Sequence, residues 1–250
     1  MASIPNCDRD ERSTLRVPDI TFFIPCYNEE KNVAGAMDKV VLACRATGMN
    51  LEIIVVDDAS TDDTAAVARE WQALNPDVRV NLIRKEQNRG VARNFVDAAF
   101  AASGRHFRLI CGDNIEPQET HEALLRQMGS ADIVIPYFTE IRGRKLFRKI
   151  VSRLYTALVN LASGYQIRYY NGCPIFQRQD VLRYHVESTG FGYQAEFLTR
   201  LIHENRSYVE VPLIAYDRPG STSINFKNLL SVAHSLFTIA MRRLRIVLFE

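Results

Sequence analysis

The chain has no apolar stretch long enough to span a bilayer, which takes roughly 20 residues. Its longest uncharged run, 228–241, is broken by Ser231, His234 and Ser235 and is followed at once by Arg242, Arg243 and Arg245. The protein is therefore expected not to cross a membrane by itself. The polar, charged stretch 1–17 also lacks the apolar centre of a secretory signal. Cysteine is sparse: Cys7, Cys26, Cys44, Cys111 and Cys173 are odd in number and form no C-x-x-C pair, and no histidine lies at zinc-ligand spacing from them. That argues against a disulfide framework and a zinc centre, and for free thiols in a reducing compartment. No glycine-rich, lysine-containing phosphate loop follows the first apolar run, which counts against a nucleotidyltransferase. No nucleic-acid-binding module pattern occurs either, so no nucleic-acid partner is expected.

What is present is ordinary globular material, 47% hydrophobic and 24% charged, with a formal net charge of +2 that by itself says little about partners. From residue 19 the pattern alternates. Short apolar runs at 20–24, 51–56, 78–83, 107–111 and 133–135 read as strands, and the stretches 29–44, 62–74, 91–102 and 117–128 between them read as helices. Fully apolar strands alternating with helices predict an α/β fold, a mainly parallel sheet covered on both faces. After Pro136 the regularity stops. A basic helix over 144–161, a short strand near 173–176, a helix over 194–203, a strand over 208–214 and a final helix over 226–248 are predicted. With no linker or repeat, the expectation is a tail at 1–17 and one domain at 18–250, made of a half at 18–136 and a half at 137–250.

In such sheets ligands sit at the carboxyl ends of the strands. The first strand ends in Pro25-Cys26-Tyr27-Asn28-Glu29-Glu30, which suits either a flat polar ligand or a helix start capped by Asn28. The second ends in Asp57-Asp58, ahead of Ser60 or Thr61 as a helix cap. Capping does not need these two carboxylates, and hydrogen bonds to a nucleobase or ribose account for them more economically. The fourth ends in Cys111-Gly112-Asp113, where a carboxylate suits Mg²⁺ or Mn²⁺ bridging to substrate phosphates.

With these segments in this order, the sequence resembles glycosyltransferase family 2, of the GT-A fold, and within it the polyprenol-phosphate sugar transferases typified by dolichol-phosphate mannose synthases. The matching segments are TFFIPCYNEE (21–30), IIVVDDASTDDT (53–64), NRGVARN (88–94), GDNIEPQE (112–119), NGCPIFQRQDV (171–181) and EVPLIAYDRPGSTS (210–223). The resemblance implies that Pro25, Tyr27 and Glu29, with Asp57 or Asp58, hold the base and ribose of a GDP- or UDP-sugar. It implies that Asp113 binds the metal, Mg²⁺ or Mn²⁺, that Arg93 steadies the acidic residues under the nucleotide, and that Arg148, Arg153 and Arg218 place cations near the phosphates. The chain departs from the family where Cys111 replaces the first carboxylate of Asp-x-Asp, where Ile115 replaces a glutamine, and where Ser223 replaces a lysine. A single carboxylate binds a hard cation weakly without Glu116, water or the diphosphate to help.

Between Ile141 and Gln179 every charged residue is basic: Arg142, Arg144, Lys145, Arg148, Lys149, Arg153, Arg168 and Arg178. On the predicted helix these stand opposite Phe147, Ile150, Val151, Leu154 and Leu158, a basic amphipathic pattern that suits a membrane surface. The last helix repeats it, with Leu229, Leu230, Phe237, Ile239, Ile246, Val247, Leu248 and Phe249 beside Arg242, Arg243 and Arg245; packing on the core or in a homodimer, or against a membrane-protein partner, stays open. The resemblance thus implies transfer of a hexose, with inversion, to a polyprenyl phosphate at the cytoplasmic face of a membrane. Two alternatives stand beside it: extension of a glycan or lipid-linked saccharide with Glu196 as base, and a non-catalytic nucleotide-binding protein.

Overall fold

The computed structural model describes residues 16–184, 190, 192–216 and 226–249, and the side chains of these except 226–229 and 246–249. Seven strands form one sheet: β1 (Ile20–Cys26), β2 (Leu51–Asp57), β3 (Arg79–Arg84), β4 (His106–Leu109), β5 (Ile133–Arg142), β6 (Ile175–Gln177) and β7 (Tyr208–Tyr216), in the order β3-β2-β1-β4-β6-β5-β7. The helices are α1 (Val33–Thr47), α2 (Thr64–Leu74), α3 (Val91–Ala101), α4 (Gln118–Leu125), α5 (Leu146–Ser163), α6 (Arg178–Arg183), α7 (Tyr193–His203) and α8 (Phe226–Phe249). All ladders are parallel except those of β6, which runs antiparallel to both β4 and β5. Two reversals cancel, so β5 points the same way as β1, β2 and β4. The carboxyl ends of five or more strands therefore share one edge of the sheet.

Alternation along the strands divides the interior into two cores. Ile20, Phe22, Ile24, Ile53 and Val55 face a core closed by α1, α2 and α4. Phe23, Ile54, Val56, Phe107 and Leu109 face one closed by α3, α6, α7 and the inner sides of α5 and α8. Phe95 of α3 is the hub of the second, in ring contact with Phe23, Phe107, Phe176, Tyr193 and Phe197.

The predicted α/β architecture and element order are found, with three local differences. β5 runs to Arg142 rather than ending at 135, pairing with β7 across an irregularity between Phe138 and Glu140. Its distal part carries Thr139, Glu140 and Arg142, so no apolar run betrays it. α1 begins at Val33 rather than at 29, because the preceding residues are bonded to the loop after β2. The six-residue α6 has no counterpart in the sequence pattern, because it is too short to show a helical period.

Candidate active site

The loops after β1 and β2 are fastened to each other. The amide of Asn28 donates to Ser60 Oγ at 3.0 Å, that of Glu29 to Thr64 Oγ1 at 2.8 Å, and that of Glu30 to Asp62 Oδ2 at 3.1 Å. In return Asn28 Oδ1 accepts from the Thr61 amide at 2.8 Å and Glu30 Oε2 from the Asp63 amide at 3.2 Å. Asn28 thus makes no helix cap but sits at φ +58° as a cross-link, and Ser60 is likewise spent on the neighbouring loop. The product is a rigid shelf at the sheet edge. On it Tyr27 is exposed and Pro25 half-buried, while Glu29 is buried and accepts from Asn32 Nδ2 at 2.7 Å.

The two adjacent aspartates are both buried but do different work. Asp58 gives both oxygens to backbone amides, Oδ1 to Arg89 and Oδ2 to Gly90, each at 2.9 Å, and so anchors the start of α3. Asp57 accepts from the Ser60 amide through Oδ1 at 2.8 Å, and its Oδ2 has no hydrogen bond but lies 3.5 Å from Arg84 Nε. Of the pair, Asp57 is the one with an oxygen that no hydrogen bond claims, buried beside Arg84. Arg93 is exposed on α3, and the cation beside Asp57 is Arg84, at the end of β3. Nothing in the sequence singles out Arg84, which follows the apolar run expected at 78–83; the structure makes that strand half-exposed rather than buried on both faces.

Asp113 lies half-buried in the loop after β4, which is held from several sides. Lys39 of α1 donates to the Asn114 carbonyl at 2.8 Å. A Cβ on Gly112 would come within 2.9 Å of both Pro25 O and Cys26 Sγ, so this loop packs directly on the end of β1. Glu116, named above as a helper for the cation, is instead bonded to the buried Arg108 at 2.6 Å. Cys111 is exposed as a residue, yet the neighbouring Cys173 thiol and burial of the sulfur raise its pKa. Among the described residues no three His, Cys, Asp or Glu side chains converge on one point. One hard carboxylate at a strand end fits Mg²⁺ or Mn²⁺ as a single protein ligand, with the remaining oxygens supplied by phosphates and water.

Further along the same edge, β5, α5 and the loop before Tyr170 enclose an open cavity of about 930 Å³ whose cations are Arg144, Lys149, Arg153 and Arg168. Arg168 is braced by the Tyr137 ring at 4.6 Å and by Glu210, whose Oε1 accepts its amide at 2.8 Å. Asn160 ties the loop to α5 through Ile167 and Tyr170. The structure brings Arg153 to this cavity, while Arg148 is half-buried and does not line it. Arg218 and Ser223 lie outside the described residues.

The remaining basic residues are scattered by the fold. Arg178 donates to Ala99 O at the end of α3, and Arg142 lies 3.5 Å from Glu140. Arg243 donates to Leu161 O at 2.8 Å and Arg242 Nη2 lies 3.7 Å from Glu196 Oε1, so two of the three arginines of α8 fasten it inward. Glu196 is only 1% exposed, not on a helix surface. Much of the apolar stripe of α5, by contrast, faces out: Phe147, Ile150, Leu154 and Leu158 are exposed, joined by Leu146 and Leu161, while Val151 is half-buried and Val159 buried. Among the described residues no helix is long and apolar enough to cross a membrane.

The profile of the family described as Glycosyl transferase family 2 matches residues 21–186. An undecaprenyl-phosphate 4-deoxy-4-formamido-L-arabinose transferase of Pectobacterium atrosepticum is 25% identical over 228 residues, covering 89% of this chain and 67% of that protein. One of Edwardsiella ictaluri is 25% identical over 230 residues, covering 88% and 67%. Among solved structures, a mannosyltransferase from Pyrobaculum calidifontis in complex with GDP-Man and Mn²⁺ aligns with a TM-score of 0.64 at 20% identity, over 91% of this chain and 65% of that one. Glucosyl-3-phosphoglycerate synthase from Mycobacterium tuberculosis in complex with Mn²⁺, UDP and glucosyl-3-phosphoglycerate aligns with a TM-score of 0.65 at 19% identity, over 90% of this chain and 80% of that one. The chain thus spans about two thirds of the length of the curated relatives it matches.

Proposed function

The chain belongs to glycosyltransferase family 2, and from that premise we propose that it moves one sugar from a GDP- or UDP-sugar to a polyprenyl phosphate at a membrane surface. The observation that carries the acceptor is the cavity in which Arg144, Lys149, Arg153 and Arg168 outnumber the carboxylates Glu140 and Glu210, set beside the outward apolar stripe of α5. An anionic headgroup suits the cavity, and its hydrocarbon chain suits a bilayer against the stripe. The relatives named for undecaprenyl phosphate support the same reading. The four described cysteines are free, which suits work at the cytoplasmic face.

In the proposed reaction the shelf after β1 and β2 holds the base and ribose, with Tyr27 and Pro25 presenting their sides and Asp57 Oδ2 accepting a hydrogen bond. Asp113 would hold a Mg²⁺ or Mn²⁺ ion, which offsets charge on the departing diphosphate. Arg153 and its neighbours orient the acceptor phosphate, which is already anionic and attacks the anomeric carbon directly, with inversion, needing no base. Glu196 is poorly suited to be that base, since it is buried against Arg242.

The test is transfer from UDP- and GDP-sugars to a short polyprenyl phosphate, with and without Mn²⁺. One sugar should appear on the lipid. Arg153→Gln should slow this about 10- to 100-fold, the value of one charge-assisted hydrogen bond, while Glu196→Gln should change it little. Transfer only to a sugar hydroxyl, abolished by Glu196→Gln, would sink the proposal.

A further inference from the structure

Arg108 is a charged residue in a strand whose other inward positions are apolar. Phe107 and Leu109 face one core, and Arg108 faces the other beside Ile110, at 1% exposure. Every arm of its guanidinium is used. Nε donates to Cys173 O at 3.0 Å, Nη1 meets His121 Nδ1 at 2.6 Å, and Nη2 donates to Glu116 Oε2 at 2.6 Å. Burial, with the positive charges of Arg108 and Lys39, holds the His121 pKa well below its usual value, so the neutral ring accepts from Arg108.

A buried ion pair is a poor way to build stability, because desolvation of both charges offsets their attraction, and apolar residues of equal volume serve as well or better. The positions of the partners supply a different reason. Glu116 closes the loop that carries Asp113. His121 belongs to α4, the helix that follows that loop. Cys173, at φ +54°, belongs to the turn leading into β6, in the half of the sheet that holds the basic cavity. One side chain therefore ties the Asp113 loop, its following helix and the turn before β6 to the middle of β4.

We propose that Arg108 is a positioning residue for the cation site: through Glu116 and Cys173 it sets the placement of Asp113 relative to the cavity half of the molecule. This rests on the reading of Asp113 as the cation ligand. With Cys111 two residues earlier in place of a second carboxylate, the protein aims the ion through one side chain only, and any slack in that loop passes undamped to the ion. Lys39 at Asn114 and the close approach of Gly112 to Pro25 pin the loop to β1 and α1; toward the other half the Cys111 thiol meets Cys173, and Arg108 adds a charged connection through Glu116 and the Cys173 carbonyl.

The experiment uses the full chain and titrates Mn²⁺ in the presence of UDP or GDP, following free Mn²⁺ by electron paramagnetic resonance. Arg108→Met and Glu116→Gln should each weaken Mn²⁺ binding about tenfold, the lower end of what loss of a supporting partner costs a metal site. Nucleotide binding without metal, measured by calorimetry, should stay unchanged, and Arg108→Lys, whose ammonium still reaches Glu116, should recover part of the loss. Should Arg108→Met fail to fold, Glu116→Gln, at a side chain 17% exposed, answers the question alone. Variants that bind Mn²⁺ as the parent does, and merely melt earlier, would make Arg108 a structural residue and overturn the proposal. Asp113→Asn separates the two ideas: unaltered Mn²⁺ binding there would show that the cation reading itself is wrong, and this proposal would fall with it.

Discussion

Side chains of one type, next to each other in sequence, are given different tasks by their surroundings. Asp57 and Asp58 follow β2 as neighbours, yet Asp58 spends both oxygens on the amides of Arg89 and Gly90, and Asp57 keeps Oδ2 facing Arg84. Substituting them should separate stability from binding. Asp58→Asn replaces an acceptor by a donor facing an amide and should cost about 1.5–3 kcal/mol in urea unfolding, as for a hydrogen bond to a charged group. Asp57→Asn, whose Oδ1 can still accept from the Ser60 amide, should cost less than Asp58→Asn in urea unfolding but weaken UDP or GDP binding by about tenfold or more, read by calorimetry, since a hydrogen bond to a charged group is lost there. The reverse pattern would assign the base to Asp58. The sequence places the pair at a strand end but not its division, because the amides that claim Asp58 arrive from a loop some thirty positions later.

Among the elements, α5 shows what a pattern can and cannot say. Its alternation of basic and apolar residues predicts an amphipathic helix, but an apolar stripe can face a core as readily as a membrane. The structure buries Val159 and Ser163 and leaves Ile150 and Leu154 exposed at 55% and 57%. Changing both to Gln should therefore leave urea unfolding within about 0.5 kcal/mol of the parent, while co-sedimentation with anionic lipid vesicles drops sharply. Vesicle binding that survives the double change would mean that the stripe faces something other than lipid. The basic residues are less legible than the apolar ones. Arg178, bonded to the end of α3, and Arg243, bonded to the end of α5, look in sequence like members of one cationic surface with the cavity residues. They are separated because each guanidinium finds a carbonyl or carboxylate remote in sequence.

For the whole molecule, buried ionisable groups limit the pH range of stability from both sides. His121 has its pKa lowered by burial, Arg108 and Lys39, with Glu116 as the acidic neighbour, so the folded chain keeps it neutral while the unfolded chain protonates near pH 6.5. The unfolded state then binds the extra proton, and stability should fall by about 1 kcal/mol between pH 6.5 and 5.5 from this group. Cys44 is the opposite case: burial raises its thiol to about 12, so its contribution is full below the unfolded value near 8.5 and is lost as pH rises above it. Urea midpoints measured across pH should thus peak roughly between pH 6.5 and 8.5. His121→Asn, whose Oδ1 can still accept from Arg108, should flatten the acid limb; an acid limb of unchanged slope would show that other groups set it.

Sequence alone determined the layered α/β architecture, because strands buried on both faces must be apolar throughout and the helices between them must be periodic. It determined that Asp57, Asp58 and Asp113 stand at strand ends, because strand ends follow from the same pattern. Only the tertiary structure decided which Asp57 oxygen lacks a hydrogen bond, that Arg84 rather than Arg93 stands beside it, that Glu116 answers to Arg108, and that Glu196 is sealed against Arg242. These are matters of hydrogen-bond partners drawn from distant parts of the chain. Periodicity along the chain registers burial, and it is blind to which of several buried polar groups will meet.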